Sequence, residues 1–98
     1  MATTIVRYSL KPDRMEEHLA LIDAVFVGLA EIDEPGIHYT VYRSEEGSDF
    51  THIAAFDSQA AREAFGANEA FAAFTADIAE RCITPPDAVV QHDVASAG

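Results

Sequence analysis

A long amphipathic helix is the clearest prediction from the pattern of apolar and polar residues. From about Pro12 to Ile32, apolar residues recur at steps of three and four, which places them on one stripe of a helix. Pro12 suits the first helical turn, and Pro35 ends the helix because a proline disfavours helical backbone in the residue before it. The stripe consists of Met15, Leu19, Ile22, Val25, Phe26, Leu29 and Ile32.

Four segments rich in β-branched and aromatic residues predict strands. The first is Thr3–Leu10. The second and third are Ile37–Arg43 and Asp49–Phe56, and the turn residues "SEEGS" between them predict an antiparallel hairpin. A short last strand is predicted at Val89–Val94.

A second helical segment is predicted between the third and last strands. Asp57 or Ser58 can cap its start, Gly66 and Asn68 interrupt it, and Asn68 can cap the part that follows. The motif "TPP" after Ile83 is expected to end the segment. Its apolar stripe is Phe71, Phe74, Ile78 and Cys82.

This order of elements predicts one α+β domain over residues 1–98, with a ferredoxin-like β-α-β-β-α-β arrangement and a four-stranded antiparallel sheet. Both helical segments would cover one face of the sheet. The other face is predicted to be covered as well, because the second strand carries Tyr42 on the opposite side from Ile37 and Tyr39. A second copy related by a two-fold axis is the simplest cover, so we expect a homodimer through the sheet faces.

Charge and cysteine content narrow the classes of partner. The chain has a net charge of −11, from 17 acidic and 6 basic residues. Such a surface repels nucleic acid and anionic membranes, and neither is expected as a partner. Cys82 is the one cysteine, which fits a reducing cytoplasm, and we interpret it as a core residue. The N-terminal residues do not resemble a signal peptide, and no apolar run approaches the ~20 residues that cross a bilayer.

The predicted hairpin brings polar and aromatic side chains to one face of the sheet. A register that places Tyr42 opposite Phe50 also puts His52, Thr40 and His38 on that face, whereas a shift of one residue would mix the faces. His52 is then a candidate general base, and Tyr42 a candidate donor to a substrate oxygen. His38 and Phe50 are candidate substrate contacts. The alternative is that these side chains only pack and satisfy one another.

Other charged and imidazole side chains give weaker signals. Arg7 on the first strand is a candidate for binding an anionic group of a substrate, with an ion pair to an acidic neighbour as the alternative. A metal site is not predicted, since His18, His38, His52 and His92 lie on four different elements without metal-ligand spacing.

The chain resembles the antibiotic biosynthesis monooxygenase-like family of dimeric α+β barrels. The stretches that carry the resemblance are "TIVRYSLKPDR", "GIHYTVYRSEEGSDFTHIAAF" and "EAFAAFTADI". The resemblance implies two sheets packed together in a dimer, with a cavity for a small molecule between sheet and helices in each subunit. Members of this wider family oxidise aromatic polyketides without metal or flavin, degrade haem, or have no assigned reaction.

The resemblance also bears on individual residues. It implies that Asn68 stands where the metal-free oxygenases use an asparagine, although Asn68 is equally explained as a helix cap. Phe71 and Phe74 would line the cavity as substrate contacts. The sequence has no tryptophan, which those oxygenases use, and no histidine between Ser58 and Cys82, where haem degraders hold iron. We therefore expect no cofactor.

Two hypotheses follow for the function. The first is a small cofactor-independent oxygenase, or an isomerase, that acts on an aromatic or polyketide-type compound. The second is a non-catalytic dimeric module that binds a small ligand or only assembles, because no sharp catalytic motif is present.

Overall fold

A computed structural model describes residues 2–97. A four-stranded antiparallel sheet carries its helices on one face, which confirms the predicted α+β, ferredoxin-like fold class. The strand order is β2-β3-β1-β4. The strands are β1 (Ala2–Leu10), β2 (Ile37–Arg43), β3 (Asp49–Phe56) and β4 (Cys82–His92). The helices are α1 (Met15–Ala30), α2 (Gln59–Gly66), α3 (Glu69–Ala76) and α4 (Ile78–Arg81), and a 3-10 turn at Pro12–Arg14 precedes α1.

The second helical segment begins and breaks where its caps predict. The Ser58 hydroxyl accepts from the backbone N–H of Ala61 and starts α2. The Asn68 side chain accepts from the backbone N–H groups of Ala70 and Phe71 and starts α3. A second break, which was not predicted, lies at Asp77: α3 stops at Ala76, and α4 is a single turn that ends at Arg81.

The last strand is longer than predicted. It begins at Cys82, where the backbone is already extended, and not at Val89. The motif at Thr84–Pro86 therefore lies within β4 and does not end a helix. Two prolines are tolerated because β4 is an edge strand, and the pairing with β1 shifts register beside them, between Arg7 and Leu10.

The predicted hairpin register is wrong by one residue. Arg43, and not Tyr42, lies opposite Phe50, while Val41 lies opposite His52. The loop sets this register: the backbone N–H of Ser44 donates to the Asp49 carbonyl at 2.8 Å, and Gly47 adopts a φ of 103° that suits glycine. Because side chains alternate along a strand, the shift moves every β2 residue to the other face.

The core lies between the sheet and the helices. Its buried members are Tyr8, Leu10, Val25, Phe50, Phe74 and Cys82, so the interpretation of Cys82 as a core residue is confirmed. On the helix-free face, Ile5 lies between Ile53 of β3 and Val89 of β4. This row is only partly covered within one chain: Ile5 and Ile53 are half-buried, and Val89 is 42% exposed.

Candidate functional site

A buried chain of hydrogen bonds runs from the end of α4 through the core to β2. Arg81 Nε donates to His18 Nδ1 at 3.0 Å, and His18 Nε2 lies 2.6 Å from the hydroxyl of Tyr8. The Tyr8 hydroxyl lies 2.7 Å from His52 Nε2, and His52 Nδ1 lies 2.5 Å from the hydroxyl of Tyr39. Five polar side chains from five elements thus form one continuous network.

Strand alternation brings the sheet members of this chain together. Tyr8 lies opposite Phe50 and Val6 lies opposite His52, so Tyr8 and His52 share the face that packs on the helices. Tyr39 lies opposite Ala54, two residues from His52, and shares that face. His18 reaches the network from α1, where it is fully buried.

Burial keeps the four ionisable rings of this hydrogen-bond network neutral near pH 7. Desolvation lowers the pKa of His52 to about 4, and desolvation with the nearby Arg81 charge lowers the pKa of His18 to about 4. Burial raises the pKa of Tyr8 and of Tyr39 well above the ordinary phenol value. The network therefore consists of neutral imidazoles and phenols joined to one guanidinium.

A cavity of about 320 Å³ lies between the sheet and the helices beside this chain. Its walls are mainly apolar and aromatic, and its polar lining residues include Tyr8, Tyr39 and His52 of the network as well as Arg62. Such a combination is typical of a small-molecule site, and the volume is at the small end of the usual range. The other lining residues are Thr4, Val6, Ala54, Phe56, Arg62, Phe65, Gly66, Phe71, Phe74, Thr75, Ile78 and Pro86.

The structure brings together three of the predicted site residues. His52, Phe71 and Phe74 all line the cavity. Phe74 is 2% exposed, and its ring centroid lies 5.5 Å from that of His52. Phe50 is buried and stacks on Tyr8 at 5.5 Å, and it is not among the residues that line the cavity.

Three other candidates lie on the helix-free face. The corrected register places His38 opposite Ala55 and Tyr42 opposite Thr51, on the side of the sheet away from His52. Tyr42 is 56% exposed, and His38 contacts the Asp57 carboxylate at 3.1 Å. Arg7 pairs with Thr51 on the same face and is exposed. The predicted cluster of His38, Tyr42 and His52 is therefore not formed.

Asn68 lies at the junction of α1 and α3 and is not among the residues that line the cavity. Besides capping α3, its amide nitrogen lies 3.5 Å from the Val25 carbonyl oxygen of α1. Its side chain also packs against Gly28, where an added Cβ would come within 2.9 Å of the amide oxygen. These contacts account for a buried asparagine at this position by its structural role.

Sequence reasoning missed four members of the network. Two signals were available: His18 continues a regular series of steps with Met15, Ile22 and Val25, and Arg81 follows Ile78 by three residues. Tyr8 was assigned to the correct strand, and Tyr39 would have joined His52 on the observed register.

The described part of the chain shows neither a group of metal-binding side chains nor a helix that could span a membrane. Among residues 2–97, no three His, Cys, Asp or Glu side chains are grouped so as to hold a metal ion. No helix within those residues is both long and apolar enough to span a membrane.

Comparison with known proteins agrees with this architecture. The family model for antibiotic biosynthesis monooxygenase matches residues 1–77, and the chain belongs to this family. A search of curated proteins found no match.

Three solved structures share the fold. Rv0793 from Mycobacterium tuberculosis is 21% identical, with a TM-score of 0.78 over 99% of this chain and 98% of its own. An antibiotic biosynthesis monooxygenase is 20% identical, with a TM-score of 0.77 over 97% of this chain and 100% of its own. A conserved protein from Methanosarcina mazei Go1 is 16% identical, with a TM-score of 0.73 over 93% and 91%.

Proposed function

We propose that this protein is a small cofactor-independent oxygenase that acts on an aromatic or polyketide-type compound in the cavity beside His52. The observation that carries the proposal is a mainly apolar and aromatic cavity whose lining includes the hydrogen-bonded side chains of Tyr8, Tyr39 and His52. Family membership supports a general monooxygenase-like role. The proposed setting is the cytoplasm, which the single free cysteine favours.

The reaction that we propose uses O2 as the only oxidant. An acidic CH2 group, that of an anthrone or of the keto form of a naphthol, gives a proton to water. The carbanion then gives two electrons to O2 as the C–O bond forms, and the peroxide takes a proton back from water to become a C–OOH group. Loss of water then leaves a ketone, so that CH2 and O2 become C=O and H2O. Tyr39 would hydrogen-bond the conjugated oxygen of the substrate, on which the negative charge of the carbanion is delocalised.

Oxygen consumption tests this proposal. Wild-type protein is incubated with anthrone-type and naphthol-type compounds, and O2 uptake is measured with product absorbance. We expect uptake by the wild type and a loss of at least tenfold in Tyr39→Phe, which removes the donor to the substrate oxygen, and in His52→Ala, which removes the partner that holds the Tyr39 hydroxyl. His92→Ala should keep wild-type rates, since His92 is exposed and lies outside the cavity lining. Absence of uptake by the wild type with all these compounds would reject the oxygenase proposal for these substrate classes.

A non-catalytic ligand-binding module is the second candidate. One observation favours it: both nitrogens of His52 are already in hydrogen bonds, and burial lowers its pKa to about 4, so it is a weak base. Binding of the same compounds to the wild type without O2 uptake or any product would support this candidate over the oxygenase.

We also propose that the helix-free face of the sheet joins two copies of the chain. The row Ile53–Ile5–Val89 and the exposed ring of Tyr42 give this face an apolar centre. Residues 2–97 of one chain supply no further layer to cover this face, whereas an identical sheet related by a two-fold axis would cover it.

A further inference from the structure

Arg81 is a buried cation without an anionic partner. Its side chain is 1% exposed, and no carboxylate among residues 2–97 comes within 4.0 Å of its guanidinium nitrogens. It donates instead to His18 Nδ1 and, through Nη2, to the Phe74 carbonyl at 2.5 Å. A buried charge whose direct hydrogen-bond partners are both neutral is costly, and the Glu17 carboxylate acts on it only from a longer distance.

The guanidinium fixes the tautomer of His18, and the burial of Tyr8 then favours one direction for the remaining hydrogen bonds of the network. Arginine can only donate, so His18 Nδ1 accepts, and neutral His18 must carry its proton on Nε2. His18 Nε2 then donates to the oxygen of Tyr8. Tyr8 is 3% exposed and Tyr39 is only half-buried, so an unpaired hydroxyl proton costs more on Tyr8, which therefore donates to His52 Nε2. His52 must therefore carry its proton on Nδ1 and donate to the oxygen of Tyr39. The opposite direction would bring two N–H groups together between Arg81 and His18.

We propose that Arg81 is a positioning residue that orients the hydrogen bonds of this network, so that each one donates towards the cavity. The Tyr39 hydroxyl is then left to donate to an aromatic ligand that bears an acceptor oxygen. The class of ligand is thus a quinone, an aromatic ketone or a phenolate, and not a compound whose only polar group donates.

The position of the charge supports the same preference. The guanidinium carbon of Arg81 lies 5.4 Å from the centroid of the Phe74 ring, which is part of the cavity wall. One aromatic ring therefore separates the cation from the ligand space. In a cavity with mainly apolar walls this field, together with that of Arg62 in the cavity lining, favours partial or full negative charge on the ligand.

The inference rests on the proposed function only in taking the same cavity as the ligand site, and its first test needs no turnover. Long-range ¹H–¹⁵N correlation spectra of ¹⁵N-labelled wild-type protein at pH 7 report which ring nitrogen of each histidine is protonated. We expect Nε2–H for His18 and Nδ1–H for His52. Nε2–H for His52 would overturn the inference, whether or not the protein is an oxygenase.

Two variants of Arg81 test whether this residue sets the tautomers of His18 and His52. Arg81→Met removes the donor, and we expect His18 to lose its fixed tautomer and His52 to show Nε2–H in part or in full. Arg81→Lys keeps a donor, and we expect it to restore the wild-type pattern. Unchanged tautomers in a folded Arg81→Met protein would overturn the role of Arg81. Should Arg81→Met fail to fold, the wild-type spectrum and the ligand series below remain decisive.

Matched ligands test the chemical class. Titration of the wild type with 1,4-naphthoquinone, 1-naphthylamine and naphthalene compares an acceptor, a donor and an apolar ring system of similar size. We expect the quinone to bind most tightly, and Tyr39→Phe to weaken it about three- to tenfold while leaving naphthalene unchanged. Equal affinity for the quinone and the amine, or an equal loss for all three in Tyr39→Phe, would contradict the inference.

Discussion

At the scale of single residues, the site depends on how deeply its polar groups are buried. His18 is completely buried and His52 is 5% exposed, yet every nitrogen of both rings has a hydrogen-bond partner. These hydrogen bonds offset the desolvation cost of burying the rings, and the low dielectric of the core keeps both rings neutral. A protonated ring would lose one acceptor bond and place a second charge near Arg81.

Stability should therefore fall as the pH is lowered through the histidine range. The unfolded chain binds protons at His18 and His52 near pH 6.5, whereas the folded chain does so only near pH 4. The unfolded state thus holds more protons between these values, so the stabilisation is complete above about pH 6.5 and is lost as the pH falls towards 4. Urea unfolding between pH 7 and 5 measures this slope above the usual carboxylate range.

Matched glutamine variants identify the source of that slope. His52→Gln should flatten it, because one of the two titrating rings is gone. His92→Gln replaces an exposed ring at the end of β4 and should keep the wild-type slope. A slope that is the same in His52→Gln and the wild type would show that the buried chain is not its cause.

At the scale of elements, the apolar pattern predicts which segments fold but not how they are aligned. The strands β1 to β3 and the caps Ser58 and Asn68 agree with prediction, because β-branched runs and cap residues act locally. The hairpin register depends on a backbone hydrogen bond across the loop at Ser44, which composition does not reveal. Because of that one-residue error, the prediction put His38 and Tyr42 on the face of His52 and put Tyr39 on the opposite face.

Asn68 provides a test between a structural and a catalytic role. Asn68→Ala removes the cap of α3, and we expect a loss of about 1 kcal/mol in the free energy of unfolding. Asn68→Asp keeps an acceptor oxygen for the cap and should lose less. Folded protein of either variant should keep wild-type ligand affinity and O2 uptake, since Asn68 is not among the cavity-lining residues. Loss of uptake with unchanged stability would restore Asn68 as a catalytic candidate.

At the scale of the whole molecule, the two faces of the sheet differ in what they hold and in how well they are covered. The helix-facing side holds the hydrogen-bond network and the cavity, and the core residues on this side are buried within one chain. The helix-free side leaves apolar residues partly open, which is the basis for the proposed dimer. Sequence alone indicated this two-sided character, because strand residues on both sides are apolar.

Sedimentation velocity tests the proposed dimer. The wild type should sediment as two chains at micromolar concentration, and Ile53→Asp should sediment as one, because it places a charge at the centre of the helix-free face. Val27→Asp is the matched control, since Val27 is 63% exposed on α1, and it should remain a dimer. A wild type that sediments as a single chain would contradict the proposal.

The position of a bound ligand shows whether the cavity beside His52 is the binding site. A crystal structure of the protein with 1,4-naphthoquinone should show the ring system against Phe71 and Phe74, with one ligand oxygen within hydrogen-bond distance of the Tyr39 hydroxyl. A quinone bound instead at the groove beside Gly28 and Asn68, or on the helix-free face, would contradict the account.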